Sequence, residues 1–319
     1  MPAACLRATG EEPTVTASPD PARTSPEALD VLLEDARERG GVRGEVRGGS
    51  ALDRIALSYG GPLEIPLRPD RPIIVANFVE SLDGVVALGT GPRGGGSDIS
   101  GASQADRFVM GLLRAVADAV VVGAGTMRSA PRHEWTPGVI APGWAADFAS
   151  WRASLRLAAQ PTTVVVTSVG DIPDGHPALA REDVPVVIAT TARGADRVRG
   201  LADRLSGRGT ARRVRVEVLA ESGTVTPQAL SGLLTRLGIR LAVCEGGPHL
   251  LAGLLEAGSV DELFLTVAPH VLGRGPGVAA RLGLAEGHAW EPGDAPWGEL
   301  RSVRRSGSHL FLRYAFRSR

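Results

Sequence analysis

The sequence contains no lysine, and all 35 of its basic side chains are arginine. A phosphate-binding P-loop ends in Gly-Lys-Ser/Thr, so this motif is excluded. Schiff-base catalysis through a lysine amine, including the usual pyridoxal phosphate anchor, is excluded as well. The 35 acidic residues balance the arginines, and a formal net charge of zero gives no global attraction to nucleic acid or to an anionic membrane.

Cysteines are few and long apolar runs are missing. Cys5 and Cys244 alone cannot build a disulfide framework or a cysteine-based zinc site. No apolar run reaches the ~18 residues that a membrane span needs, and the N-terminus lacks the apolar core of a secretory signal. The six histidines show no His-Glu-x-x-His spacing and are interpreted mostly as scattered surface or loop residues, so no metal site is predicted. We therefore expect a cytoplasmic protein without a metal centre.

The length of 319 residues suggests about two domains, or one α/β domain with an appendage. Residues 1–24 lack periodicity and are predicted to be a disordered leader. Residues 25–69 are interpreted as an appendage of short helices and a linker, with one helix over 25–40 and a second over 52–57. Residues 70–319 are predicted to form the main domain.

The main domain alternates short apolar runs with helical patterns. Near-continuous apolar runs are typical of strands that are buried on both faces of a parallel sheet. The predicted strands are 73–79, 119–123, 162–168, 184–190, 214–219, 241–247, 262–269 and 310–316. The predicted helices are 103–119, 144–159, 193–206, 226–237 and 248–257. This alternation predicts an α/β fold with a mostly parallel sheet, and the last two strands lack a long helix between them, which predicts an antiparallel C-terminal edge.

Three segments place special residues just after predicted strands, where open parallel sheets bind ligands. Ser81-Leu82-Asp83-Gly84 follows the first strand of the main domain. Gly123-Ala124-Gly125-Thr126 follows the second, although Arg128 replaces the third glycine of a dinucleotide fingerprint. Cys244-Glu245-Gly246-Gly247-Pro248-His249 precedes a helix, and its consecutive glycines are suited to an anion cradle. Each could also be an ordinary turn, but two strand–glycine–helix elements in one chain favour ligand binding.

Together these segments resemble the reductase domain of bacterial riboflavin biosynthesis, which has a dihydrofolate reductase-like fold. The resemblance rests on NFVESLDGVVA, DRFVMGLLRAVADAVVVGAGT and CEGGPHLLAGLLEAGSVDELFLTVAPHVLG, and it covers about residues 70–316. It is strongest to the stand-alone actinobacterial pyrimidine reductase family proteins. The resemblance implies a homodimer and NADPH-dependent hydride transfer to a pyrimidine that carries a ribosylamino phosphate, whose ribose opens to ribitol.

The resemblance also implies which residues bind the cofactor. The phosphates or ribose are expected to border Gly123, Gly125 and Thr126. The pyrophosphate is expected in a cradle formed by Gly246, Gly247, Pro248, His249 and Leu250. The adenosine is expected beside Thr167 and Ser168. Either Arg128 or Arg193 is expected to meet the 2′-phosphate of NADPH.

On the substrate side, the resemblance implies that Arg114 and Glu245 face the substrate, because an arginine fork suits a phosphate or a pyrimidine carbonyl. Asp83 is expected beside the nicotinamide, and Asp83 and Glu245 are the candidate catalytic residues. Asn77 stands where the family usually has a lysine, so it is a further substrate-binding candidate.

The sequence departs from the family at the substrate side. Ser129-Ala130-Pro131 replaces the usual Asp-Asp-Pro, and the zinc signature of the deaminase half cannot be built from two distant cysteines. Two alternatives therefore stay open: a reductase of dihydrofolate or another pterin, and a nucleotide- or flavin-binding module that has lost catalysis.

Overall fold

A single large sheet organises the protein. The computed structural model describes residues 28–35, 51–89, 95–205, 214–275 and 281–316. The strands in these residues are Asp30–Glu34 (β1), Ile73–Ser81 (β2), Ala119–Gly123 (β3), Thr162–Thr167 (β4), Val186–Thr191 (β5), Val214–Ala220 (β6), Leu241–Cys244 (β7), Glu262–Ala268 (β8), Gly298–Ser306 (β9) and His309–Phe316 (β10).

The strands lie side by side in the order β1-β9-β10-β8-β2-β7-β3-β4-β5-β6. All neighbours from β8 to β6 are parallel, whereas β1, β9, β10 and β8 pair in antiparallel fashion. The prediction of a mostly parallel α/β sheet with an antiparallel C-terminal edge is therefore confirmed. Its physical basis is visible in β5, whose residues are all buried, as a strand covered on both faces requires.

Helices cover both faces of the sheet. They are Ala51–Tyr59 (α1), Gly96–Ile99 (α2), Gln104–Val116 (α3), Ala124–Ser129 (α4), Pro137–Ile140 (α5), Ala145–Ser154 (α6), Pro177–Ala180 (α7), Ala192–Leu205 (α8), Pro227–Arg236 (α9) and Pro248–Glu256 (α10). On one face, α1, α3 and α6 pack over the centre of the sheet and α8 packs near β5, while α9 and α10 cover the other face. No helix among the described residues is long and apolar enough to cross a membrane. The predicted strands and helices of the main domain are all present, with ends that shift by a few residues.

Helix α3 is fixed at both ends by side chains. Ser103 is the N-cap residue, and its hydroxyl accepts a hydrogen bond from the Asp106 amide. Serine is among the residues preferred at this position. At the other end, Arg152 is buried and donates through Nη1 to the carbonyl oxygens of Arg114, Ala115 and Ala117, at 3.0, 3.1 and 2.7 Å. These carbonyls have no helical partner, so the guanidinium satisfies them. The position of α3 on the sheet is consequently well defined.

The N-terminal segment corrects one expectation. The prediction of a helix over 25–40 is wrong, because Asp30–Glu34 is strand β1, which pairs with β9. Cross-strand ion pairs favour this pairing: Arg304 meets Glu34 at 2.9 Å and Arg305 meets Asp30 at 2.8 Å. The second helix, predicted over 52–57, is confirmed as α1. The predicted leader, 1–24, lies outside the described residues, and the domain boundary at residue 70 stays a prediction.

Strand β9 was not predicted. Its sequence, GELRSVRRS, carries too many charges to resemble a buried strand. Nevertheless Ser302 and Arg304 are buried, because Arg304 donates to the Ser302 hydroxyl, the Tyr59 carbonyl and the Glu34 carboxylate. A partner more than 200 residues away in the sequence therefore makes a polar strand stable.

Candidate active site

Two of the glycine segments meet at the carboxyl edge of the sheet. The amide of Gly123, at the end of β3, donates to the Gly246 carbonyl at 2.6 Å. Gly246 has φ = +101° and is followed by a cis peptide bond to Gly247. A Cβ on Gly246 would lie 3.4 Å from Thr126 Oγ1 and 3.5 Å from the Phe78 ring. Only glycine accepts this backbone conformation without strain, so the structure brings the predicted segments together into one backbone-lined site.

The N-terminus of α10 also opens at this site. Pro248 occupies the first helical turn and Gly247 is the N-cap residue, without a side-chain cap. A helix N-terminus carries a partial positive charge that attracts anions. The exposed ring of His249 lies 3.2 Å, through Nδ1, from the Glu286 carbonyl and so contacts a neighbouring loop.

Arg114 and Glu245 form a buried, bidentate ion pair. Arg114 Nε donates to Glu245 Oε1 at 2.7 Å, and Nη2 donates to Oε2 at 2.6 Å. Nη1 donates to the carbonyl oxygens of Glu134 and Thr136 at 3.2 and 3.3 Å. Arg114 is 0% exposed, and all three of its nitrogens donate to protein acceptors. In this arrangement Arg114 orients Glu245, and the expected contact of Arg114 with substrate stays a prediction.

His133 completes this cluster and was missed in the sequence. Its Nε2 lies 2.6 Å from Arg114 Nη2. Burial, together with the charge of Arg114, lowers the pKa of His133 to about 3, so the ring is neutral and Nε2 accepts the hydrogen bond. His176, which lies in a loop as expected, is also buried, at 3% exposed. A usable signal for His133 was its position two residues after Pro131, the last residue of the segment that departs from the family.

Asn77 lies beside Glu245 on the face of the sheet that α3 covers. Ala76 in β2 is paired with Cys244 in β7, and Asn77 and Glu245 are the residues that directly follow this pair. Asn77 is 8% exposed and is opposite Phe264 in β8. The structure therefore brings together three of the substrate-side candidates: Asn77, Arg114 and Glu245.

Asp83 joins two loops at the same edge. Its Oδ1 accepts from the Ser81 hydroxyl at 2.6 Å and from the Leu272 amide at 3.0 Å, and its Oδ2 accepts from the Gly273 amide at 2.7 Å. These hydrogen bonds, with the one from Ser81 foremost, hold the pKa of Asp83 well below its usual range. An ionised carboxylate in this position anchors the loop after β8, and the catalytic role expected for Asp83 stays a prediction.

The adenosine-side candidates lie one strand further along the same edge. Thr167 Oγ1 accepts from the Gly170 amide at 3.0 Å, and the Ser168 carbonyl accepts from the Thr191 hydroxyl at 2.7 Å. The first bond shapes the loop after β4, and the second ties this loop to the end of β5, directly before α8. Of the two arginines, Arg128 is held by Asp171, with Nη1 at 2.7 Å from its carbonyl and 3.1 Å from its carboxylate. Arg193 lies exposed on the first turn of α8.

A parallel sheet whose carboxyl edge combines glycine-lined loops with a buried charged pair is typical of a nucleotide-dependent enzyme. Residues 72–301 match the family model described as the RibD C-terminal domain. The chain belongs to this family, and the resemblance drawn from the sequence is confirmed.

The chain is similar to proteins of known identity along most of its length. The 2,5-diamino-6-ribosylamino-4(3H)-pyrimidinone 5′-phosphate reductase of Methanothermobacter thermautotrophicus is 30% identical over 248 residues, which cover 76% of this chain and 98% of that protein. A pyrimidine reductase-like protein from Corynebacterium diphtheriae has a TM-score of 0.58 and 22% identity, with coverage of 84% and 99%. Acinetobacter baumannii RibD has a TM-score of 0.57 and 20% identity, with coverage of 77% of this chain and 58% of that chain. These structures share the fold.

Proposed function

We propose that the chain is an NADPH-dependent reductase of a ribosylaminopyrimidine phosphate and acts in riboflavin biosynthesis. The observation that carries this proposal is the junction of the Gly123 and Gly246 loops beside the Arg114–Glu245 pair. The family membership supports it, and so does the similarity to a pyrimidinone phosphate reductase over 98% of that protein.

The residues at the edge of the sheet fit a dinucleotide. Gly123, Gly125 and Thr126 would border its phosphates and ribose, because no side chain blocks approach to the backbone of the glycines. Gly246, Gly247 and the first turn of α10 would hold the pyrophosphate. When bound, the nicotinamide ring supplies a hydride.

The adenosine end of the cofactor would lie at β4 and α8, where Thr167 and Ser168 end the strand. Of the two arginine candidates for the 2′-phosphate, we favour Arg193. It is exposed at a helix N-terminus, whereas Arg128 is already bonded to Asp171. A guanidinium at a helix N-terminus is well suited to a phosphate.

The substrate would bind at the carboxyl edge of the sheet, beside Asn77 and Glu245. In the proposed reaction the C1′–O4′ bond of the ribose breaks, C1′ accepts the hydride and O4′ takes a proton, which leaves a ribityl group on the same nitrogen. Glu245, oriented by Arg114, can accept hydrogen bonds from hydroxyl or amino groups of the substrate. Asn77 offers a neutral donor and acceptor in place of a cation, which favours neutral polar groups of the substrate at that point.

The proposal is tested by following the absorbance of NADPH with purified protein and the ribosylaminopyrimidine phosphate. We expect consumption of NADPH, much weaker activity with NADH, and a raised melting temperature when NADPH alone is added. Consumption with dihydrofolate instead of the pyrimidine would favour the pterin reductase. The absence of both NADPH binding and turnover would contradict the proposal and favour a module without catalysis.

We also propose that the protein is a homodimer, as the family resemblance implies. Sedimentation velocity of the purified chain is expected to give a species with twice the mass of 33.1 kDa. A single species at the monomer mass would contradict this proposal and leave the reductase assignment untouched.

A further inference from the structure

The buried guanidinium of Arg114 finds an acceptor for every one of its N–H groups, and one of these acceptors is a ring nitrogen of His133. Nε and one hydrogen of Nη2 go to the Glu245 carboxylate, at 2.7 and 2.6 Å. Both hydrogens of Nη1 go to the carbonyl oxygens of Glu134 and Thr136. The second hydrogen of Nη2 goes to His133 Nε2, at 2.6 Å. Because Arg114 is 0% exposed, water does not replace an acceptor that is removed.

His133 restrains the outer end of this guanidinium. Among the described residues, the further acceptor near Nη2 is Met110 Sδ, at 3.2 Å, and a thioether sulfur accepts only weakly. The two hydrogens of a planar nitrogen point in different directions, so acceptors at both fix the guanidinium more strictly than Glu245 does alone. Without His133, the fork could tilt about its contact with Glu245.

Packing holds His133 itself in place. The Trp135 ring is 2% exposed and contacts two imidazoles, those of His133 and His176, with centroid distances of 5.2 and 5.5 Å. His176 Nε2 lies 3.1 Å from the Ala130 carbonyl and so ties the loop before α7 to the segment that carries His133. This segment therefore presents the ring to Arg114 from a packed base.

The His133 ring is a neutral acceptor. Burial lowers its pKa to about 3, and Arg114 and Arg107 on α3 and His176 before α7 act in the same direction. Near neutral pH the ring is therefore uncharged, with the lone pair on Nε2 and the proton on Nδ1. A neutral acceptor satisfies Arg114 without competing with Glu245 for its positive charge, as a second carboxylate would.

We propose that His133 is a positioning residue of the reductase, which holds Arg114 in its fork and thereby fixes the direction in which the Glu245 carboxylate meets the substrate. The inference rests on the proposed function, in which Glu245 lies beside the substrate. His133 acts through Arg114 and needs no contact with the reacting atoms.

The first test compares His133→Leu, which removes the acceptor, with His133→Gln, whose Oε1 can accept close to the position of Nε2. We expect His133→Leu to lose about tenfold or more in kcat, since a displacement of about 1 Å can cost about 10²-fold. The Kd for NADPH is expected to stay within about twofold in both variants. His133→Gln is expected to recover most of the wild-type kcat. His288→Leu is the matched control, because His288 is exposed and its ring stacks on a tryptophan, Trp290.

A double-mutant cycle separates positioning from a general loss of structure. If His133 acts through Glu245, His133→Leu has little left to disturb once Glu245 is glutamine. In the Glu245→Gln background it is therefore expected to change kcat by less than about twofold. Melting temperatures report whether each variant is folded.

Nitrogen NMR of the histidine rings tests the contact without reference to activity. The signals of His133 are those that disappear in His133→Gln. We expect Nε2 without a proton and Nδ1 with one, unchanged between about pH 5 and 8. A ring that gains a second proton in this range cannot accept from Arg114, and the proposal would be overturned even if His133→Leu did not fold.

The outcomes are distinguishable. If the wild type does not consume NADPH with the pyrimidine, the reductase function fails, and the positioning role fails with it. If the wild type is active, three results overturn the role of His133 alone: His133→Leu keeps more than half of the kcat, folded His133→Gln loses as much as His133→Leu, or the two losses in the cycle simply multiply.

Discussion

At the scale of the single residue, Arg114 shows how one buried side chain fixes the direction of another. Its guanidinium binds Glu245 in a fork and holds the carbonyl oxygens of Glu134 and Thr136 as well. Planar, bidentate contacts of this kind define the orientation of a carboxylate better than a point charge does. The orientation of the Glu245 carboxylate is therefore decided by Arg114, which lies on α3, 131 residues earlier in the chain.

Glu245→Gln is expected to lower kcat at least tenfold while the Kd for NADPH changes less than twofold, because Glu245 faces the proposed substrate space and not the glycine loops. Fluorescence titration with NADPH and steady-state rates measure the two quantities. Glu221→Gln, at an exposed turn after β6, is the control. An equal loss of NADPH affinity would move Glu245 to the cofactor side.

At the scale of the element, the loop after β4 and the first turn of α8 lie so close together that a side chain at their glycines would collide with the neighbouring residues. A Cβ on Gly194 would lie 2.0 Å from Thr190 Oγ1 and 3.0 Å from the Ser168 carbonyl, and one on Gly170 would lie 2.3 Å from the Gly194 carbonyl. This contact holds the first turn of α8 against the strand end. The proposed adenosine site depends on it.

Gly194→Ala is expected to destabilise the protein by about 1–3 kcal/mol, because the backbone must shift to admit the methyl group. Urea denaturation measures the effect, and the affinity for NADPH is expected to fall with it. Gly200→Ala in the same helix is the control: its Cβ would meet only the end of the Arg204 side chain, at 3.5 Å. There alanine is expected to stabilise the helix by up to about 1 kcal/mol, and a similar loss in both variants would contradict the packing argument.

Sequence reasoning located the elements whose own residues form an apolar or glycine-rich pattern. The apolar runs of β2–β5 and the stripe of α3 are visible locally, and so are the glycines that follow β3 and β7. Sequence reasoning did not predict strands β1 and β9, because their stability comes from pairs such as Arg304 and Glu34, which no local sequence pattern connects. Sequence reasoning missed His133 for the same reason, since the lowered pKa of its ring depends on burial and on the charge of Arg114, which only the folded chain brings together.

At the scale of the whole molecule, the N-terminal segment is tied to the C-terminal hairpin by buried charge. Arg304 is 1% exposed, stacks over the Tyr59 ring at 4.0 Å and binds the Glu34 carboxylate at 2.9 Å. Breaking one partner of such a pair leaves a buried charge without its counterion. Residues 28–35 and 51–59 thus belong to the same packed structure as the last two strands.

Glu34→Ala is expected to lower the free energy of unfolding by about 1–3 kcal/mol, because a buried guanidinium loses a charged acceptor. Asp30→Ala is the matched control in the same strand, since its ion pair with Arg305 is exposed on both sides and is worth at most about 1 kcal/mol. Thermal and urea unfolding of both variants give the comparison. Equal effects would mean that the pair of Glu34 and Arg304 does not hold β1 in place.

The pairing of β1 with β9 also sets an order of events during synthesis. Glu34 and Arg304 are 270 residues apart in the chain, and a ribosome adds about 5–20 residues per second. For tens of seconds after its translation, β1 therefore has no strand to pair with, and its Val31, Leu32 and Leu33 stay unpaired. The antiparallel edge of the sheet is completed only when its last strands emerge, so the pairing of β1 is a late event of synthesis.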